Sequence, residues 1–115
     1  GPTGRVGMLA SPAVRRTGLF DKALQTHGLS ALWPDDEAPL LAAIRNIKVN
    51  GPTAATRATL AEASATLAVM GADLQFVACS EFSLIADSVA EGVHAIDTVD
   101  VLTDAIVRFH TAKRD

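Results

Sequence analysis

Leu74-Gln75-Phe76-Val77-Ala78-Cys79 is a near-continuous apolar run that follows Gly71-Ala72-Asp73 and leads directly into Ser80-Glu81. A run of this kind predicts a strand buried on both faces, as in parallel sheets. The next segment, residues 82–87, is typical of a short helix. The single cysteine of the chain is therefore expected where a strand ends and a helix begins, which is the edge of an open α/β sheet where ligands bind.

The segments on either side of this run predict further strands and helices in alternation. Short strands are expected at residues 6–10, 29–33 and 93–96. Four helices are expected: one capped by Thr17 and ended by Gly28, one capped by Asp35 or Asp36, a long alanine-rich one from Thr53 to Gly71, and a last one capped by Asp97 with Ile106 on its inward face. This alternation indicates an α/β domain whose parallel sheet carries helices on both faces.

Composition restricts the class of protein. The chain has 115 residues, 49% of them hydrophobic, which suits a single globular domain. The net charge is −3 and the basic residues are scattered, so nucleic acid is not an expected partner. No apolar stretch reaches the roughly 18 residues that a membrane helix needs. One cysteine excludes an internal disulfide framework, and a reducing cytoplasm is the expected location.

The first residues run into the first predicted strand without a preceding helix. We interpret residues 1–4, Gly-Pro-Thr-Gly, as a tag remnant or linker. Residues 1–115 are expected to form a single domain, and we expect this domain to be a piece of a longer protein.

Three segments resemble the second, C-terminal lobe of aspartate/glutamate racemases. They are Val6-Gly7-Met8-Leu9-Ala10-Ser11, Ala78-Cys79-Ser80-Glu81-Phe82-Ser83-Leu84-Ile85 and Ile96-Asp97-Thr98. The family writes them roughly as VGLLAT, GCTELPLL and IDS or IDT, in the same order and with similar spacing. In this chain Ser80 replaces the family's threonine and keeps its hydroxyl, and Ser83 stands where proline is common.

The resemblance implies a three-layer, flavodoxin-like lobe with a four-stranded parallel sheet in the order 2-1-3-4. It also implies a two-lobed enzyme with one cysteine from each lobe facing a central cleft. The two thiols racemise a small amino acid without a cofactor: one removes the α-proton and the other returns a proton to the opposite face. This chain carries only the second cysteine, so the expected partner is the missing first lobe or a second copy of the chain.

The resemblance assigns roles to five residues, and each also has a simpler structural explanation. Cys79 is the expected acid/base, and a helix N-terminus can lower the pKa of a thiol at this position, although buried cysteines are common in strands. Ser80 and Lys48 are expected to hold a substrate carboxylate, although a lysine also suits a helix C-terminus. Glu81 either contacts the substrate or caps the helix. Ser11 either touches the substrate or simply ends a strand before Pro12.

Two function classes follow. The first is one lobe of a cofactor-independent racemase acting on aspartate or a similar acidic amino acid, since Glu81 replaces the histidine of the glutamate branch. The alternative is a non-catalytic lobe that binds a small carboxylate or serves in assembly. Hydantoin racemases and one-cysteine decarboxylases share the architecture, but the acidic Cys-Ser-Glu motif favours neither. The three histidines, His27, His94 and His110, fit no metal motif, so no metal is expected.

Overall fold

A parallel sheet forms the centre of the molecule. The computed structural model describes residues 4–97 and residue 106. In this part of the chain the strands are β1 (Arg5–Leu9), β2 (Ser30–Leu32), β3 (Leu74–Val77) and β4 (Ala95–Asp97). All neighbouring pairs are parallel, and their order is β2-β1-β3-β4. The predicted order 2-1-3-4 is therefore confirmed.

Helices cover both faces of this sheet. They are α1 (Pro12–Thr17), α2 (Leu19–Thr26), α3 (Ala38–Asn50), α4 (Ala54–Val69) and the short α5 (Ser80–Ser83), followed by a 3-10 turn at Ala86–Ser88. On one face, Val6 and Met8 of β1 pack with Phe20 and Leu24 of α2. On the other face, Leu9 packs with apolar side chains of α3, α4 and α5. The three-layer α/β architecture is confirmed.

The strand register places the ends of the strands side by side. Leu9 lies opposite Val77, and Val77 lies opposite Asp97. The backbone N–H of Ala78 donates to the carbonyl of Leu9 at 3.0 Å, which continues the pairing one residue beyond β3. The residues that follow β1 and β3 therefore emerge at one edge of the sheet, as parallel pairing requires.

Gly7 allows β1 and α4 to approach each other closely. A Cβ atom at this position would lie 3.1 Å from the Cβ atoms of both Leu67 and Ala72. Leu67 is fully buried against the sheet. A glycine in this strand is thus explained by the close packing of the helix on it.

One sequence-based expectation about the start of the chain is wrong, and one is incomplete. We expected Thr17 to cap one helix, but Thr17 ends α1, and Gly18 separates the two helices with a positive φ of 68°. Ser11-Pro12 does follow the end of the first strand, as expected, but we did not predict that it also starts a helix. Ser11 is in fact the N-cap of α1, its hydroxyl oxygen accepting from the N–H of Val14 at 3.3 Å.

The expectations for the three later helices have different outcomes. Neither Asp35 nor Asp36 is the N-cap of α3, which is Glu37, although Asp36 accepts a hydrogen bond from the N–H of Ala38 at 3.1 Å. The long helix begins after its cap at Thr53, as predicted. The last predicted helix lies outside the described residues except for Ile106, which is helical and 51% exposed rather than turned inward. Within the described residues, no helix has the length and apolar character needed to cross a membrane.

Candidate active site

Cys79 lies at the junction that the sequence predicts. It follows β3 directly and occupies the N-cap position of α5 in an extended conformation, with φ −146° and ψ 130°. It is 9% exposed and belongs to the apolar layer that also contains Val77 and Phe82. The register of β3 with β1 thus carries the thiol to the carboxyl edge of the sheet, where α/β proteins bind ligands.

The carboxylate of Glu81 contacts three donor groups, one of which is this thiol. The Sγ of Cys79 donates to Oε2 at 3.2 Å, and the hydroxyl of Ser80 donates to the same oxygen at 3.0 Å. The Nζ of Lys48, at the end of α3, lies 3.5 Å from Oε1. Four of the five residues singled out from the sequence therefore form one cluster, in which Lys48 comes from a different helix.

This cluster reaches the protein surface. The side chains of Lys48 and Glu81 are 63% and 20% exposed, and Ser80 is exposed. The sulfur is therefore buried beneath a carboxylate that is itself in contact with solvent. A concavity of about 310 Å³ lies elsewhere, between the N-terminal part of α3 and the outer face of α4, and contains no residue of the cluster.

The electrostatics at Cys79 differ from the expectation. Burial raises the pKa of the thiol, and the hydrogen bond and negative charge of Glu81 raise it further, while the backbone N–H groups of Phe82 and Glu81 lower it. The backbone amides at the start of α5 do lower the pKa of the thiol, as a helix N-terminus can, but burial and Glu81 together outweigh them. The pKa of Glu81 is lowered, first by the hydrogen bond from Cys79 and further by Ser80 and Lys48.

Ser11 lies at the same edge of the sheet but outside this cluster. It comes two residues after Leu9, just as Cys79 comes two residues after Val77, the register partner of Leu9. Its hydroxyl oxygen is occupied by the N–H of Val14 at the start of α1. The structure therefore gives Ser11 a capping role and leaves its contact with a substrate as a prediction.

Ser83 and Asp97 lie near Cys79. We assigned neither of them to the site from the sequence. The Oγ of Ser83 lies 2.6 Å from the Oδ1 of Asp97 and 3.1 Å from the carbonyl oxygen of Cys79. This contact ties α5 to the end of β4. The available signal was the serine that replaces the family's usual proline, because a hydroxyl one turn after the cysteine can reach both strand ends.

The described residues offer no obvious metal centre. Among them, no group of three or more His, Cys, Asp and Glu side chains is arranged to hold an ion. His27 and His94 are exposed and distant in sequence, and His110 lies outside the described part. The donor set at the carboxyl edge, a thiol, a hydroxyl and an ammonium, suits a carboxylate ligand instead.

Comparisons with known proteins place the chain among others of similar sequence and fold. The family model described as Asp/Glu/Hydantoin racemase matches residues 2–106. Among solved structures the chain is similar to the Picrophilus torridus aspartate racemase, with a TM-score of 0.74 and 23% sequence identity over 90% of this chain. The match covers 43% of that protein, so this chain spans less than half its length. A comparison with curated proteins gives no significant match.

Proposed function

The chain belongs to the Asp/Glu/hydantoin racemase family, and we propose that it is the second lobe of a cofactor-independent racemase of aspartate or a similar acidic amino acid. In this proposal residues 1–115 form one lobe, residues 1–4 being a linker or tag remnant. The lobe works in the cytoplasm and faces either a first lobe or a second copy of itself. Cys79 is the group that exchanges a proton with the α-carbon.

One observation carries this proposal: the thiol of Cys79 lies beside donors that converge on a carboxylate. Ser80 and Lys48 already hold the carboxylate of Glu81 at 3.0 and 3.5 Å. The same hydroxyl and ammonium, the latter largely exposed, are available to the carboxylate of a ligand that enters from solvent. A ligand held in this way places its α-carbon near the sulfur.

The chemistry requires this proximity. An α-proton beside a carboxylate is very weakly acidic, so the base must be held close to it and the developing negative charge must be stabilised. Lys48 supplies a positive charge for the substrate carboxylate, and Ser80 supplies a hydrogen bond. Glu81 assists by its contact with the thiol and faces the substrate ammonium, whose positive charge it attracts.

A single lobe supplies a single thiol. Inversion needs one group on each face of the α-carbon, and this chain has one cysteine. The second group comes from the facing lobe. Alone, at alkaline pH where the thiolate is present, the lobe is therefore expected to remove the α-proton of one enantiomer and to return a solvent-derived proton to the same face, without inversion.

Heavy water tests this function. L-aspartate and D-aspartate are incubated separately with the chain at neutral and alkaline pD, and deuterium at the α-carbon is followed by NMR. We expect exchange in one enantiomer that falls at least about a hundredfold in Cys79→Ala, the usual size of acid–base catalysis. Exchange that is equal in Cys79→Ala and the parent chain would rule out the assigned role of the thiol.

The alternative is a lobe that binds a carboxylate without catalysis. The raised pKa of Cys79 favours it, because a protonated thiol does not abstract a proton. Binding of aspartate without exchange at any pD, measured by calorimetry and NMR on the same sample, would support this alternative.

A further inference from the structure

The position of Glu81 affects the ionisation of the Cys79 thiol. Its Oε2 accepts hydrogen bonds from both the sulfur of Cys79 and the hydroxyl of Ser80, and its Oε1 faces the ammonium of Lys48. With these three donors the carboxylate is held in its ionised form. A fixed negative charge 3.2 Å from a sulfur that is 9% exposed opposes the formation of a second negative charge there.

We propose that Glu81 is a positioning residue that keeps the proton on Cys79 in the resting protein, so that Cys79 enters the reaction as the proton donor. This inference rests on the proposed racemase function for its catalytic meaning. The hydrogen bond also orients the S–H group, since a carboxylate accepts it on one side of the sulfur.

The order of proton transfers follows. Where the facing lobe is a first lobe, a base on it takes the α-proton, and the electron pair of that C–H bond stays on the α-carbon. Cys79 then gives its proton to the opposite face: the carbon lone pair forms the new C–H bond, the S–H bond breaks, and the electron pair remains on sulfur as a thiolate. The enantiomer whose α-proton points away from Cys79 is therefore the one that the resting enzyme turns over first.

The other charged groups around α5 have opposite effects on the negative charge near the thiol. Lys48 of α3 lies beyond the Glu81 carboxylate and partly offsets its charge. Asp97, at the end of β4, reaches the same helix through Ser83 and adds a second negative charge on that side. Within the described residues, Glu81 is the carboxylate in direct contact with the sulfur, so its removal should have the largest effect.

Alkylation of the sole thiol measures this effect directly. Iodoacetamide reacts with the thiolate, and the chain contains a single cysteine, so one intact-mass change reports Cys79 alone. The rate is measured from about pH 6 to about pH 10, a range that includes the pKa of an ordinary thiol. The variants are Glu81→Gln, Glu81→Asp and Lys48→Met, with Glu91→Gln as a matched control because Glu91 is exposed and outside the site.

In the parent chain we expect the alkylation rate to reach half of its maximum at a pH above the pKa of an ordinary thiol. Glu81→Gln should lower that pH by about one unit or more, since it removes the charge and keeps the shape. Lys48→Met should raise it, Glu81→Asp should retain most of the effect, and Glu91→Gln should leave it unchanged. Circular dichroism and thermal melting confirm that each variant is folded.

Two results would overturn the inference: a Glu81→Gln profile that matches the parent chain, or a parent thiol that is already ionised near neutral pH. Neither depends on turnover. If aspartate exchange fails while the pH profile shifts as expected, the proposed racemase function is wrong and the control of the thiol by Glu81 stands. If exchange succeeds while the pH profile does not shift, the racemase function stands and the control of the thiol by Glu81 is wrong.

Discussion

Burial and charge act together on Cys79. Cys79 packs in the apolar layer that contains Phe82 of α5, and its sulfur contacts the Glu81 carboxylate. Both features favour the neutral thiol, and the backbone amides of the short α5 oppose them only in part.

This arrangement predicts a loss of stability at alkaline pH. Because the pKa of Cys79 is raised in the folded chain, its contribution is complete below the pKa of the unfolded thiol and is lost as the pH rises through the folded value. Urea unfolding at several alkaline pH values should show a free energy of unfolding that declines with pH. The decline should be smaller in Cys79→Ala, and an equal decline in both chains would contradict the expectation.

Lys48 should determine the affinity for carboxylates. Lys48→Met removes the ammonium that faces Glu81 and keeps a similar apolar stem. We expect aspartate binding to weaken roughly tenfold, as for the loss of one charge-assisted contact. Calorimetry provides the measurement, and Lys22→Met, at an exposed position on α2, is the matched control. Unchanged affinity in Lys48→Met would remove the lysine from the site.

Helix α5 shows how a four-residue element can be held in place. Its own hydrogen bonds are few, and a helix of this length is not stable by itself. Phe82 is fully buried beneath it, and Ser83 connects it to both Cys79 and Asp97. The orientation of the thiol therefore depends on tertiary contacts rather than on helix formation.

Removal of the Ser83 hydroxyl tests this anchoring. Ser83→Ala should lower the free energy of unfolding by about 1 kcal/mol, the typical contribution of one hydrogen bond, as measured in urea. Ser30→Ala, on an exposed position of the edge strand β2, should cause a much smaller change. If both variants lose the same amount, the contact between Ser83 and Asp97 does not anchor α5.

The elements show which features could be predicted from the sequence. The strand that ends before Cys79 and the long helix after Thr53 follow from apolar runs and caps, which are local signals. Helix α1 was missed because Ser11-Pro12 serves equally as a strand end and as a helix start. Gln75 was read as part of an apolar run. Its side-chain amide is fully buried and forms two hydrogen bonds with Ser64 on α4. This tertiary contact cannot be seen in the local sequence pattern.

The sequence could predict which residues belong to the candidate site, but not how they contact one another. The resemblance to the racemase family indicated Cys79, Ser80, Glu81 and Lys48. It did not indicate that one carboxylate would take up all three donors, since that depends on where α3 ends relative to α5. The raised pKa of the thiol was missed for the same reason, because burial is a property of the assembled layers.

At the scale of the whole molecule, the sheet brings separate segments to one edge. The chain belongs to a racemase family, and its fold is similar to 43% of an aspartate racemase. The site reaches solvent through Lys48 and Ser80, whose side chains are exposed. This geometry fits a surface that a facing lobe completes.

The central claim is that a carboxylate ligand binds directly beside Cys79, and substrate protection of the thiol tests it most directly. The rate of alkylation of Cys79 is measured at alkaline pH with increasing aspartate, and with the uncharged diamide of aspartate as the control. We predict saturable slowing by aspartate, little slowing by the diamide, and loss of protection in Lys48→Met. An alkylation rate that stays constant at every aspartate concentration in the folded parent chain would contradict the account.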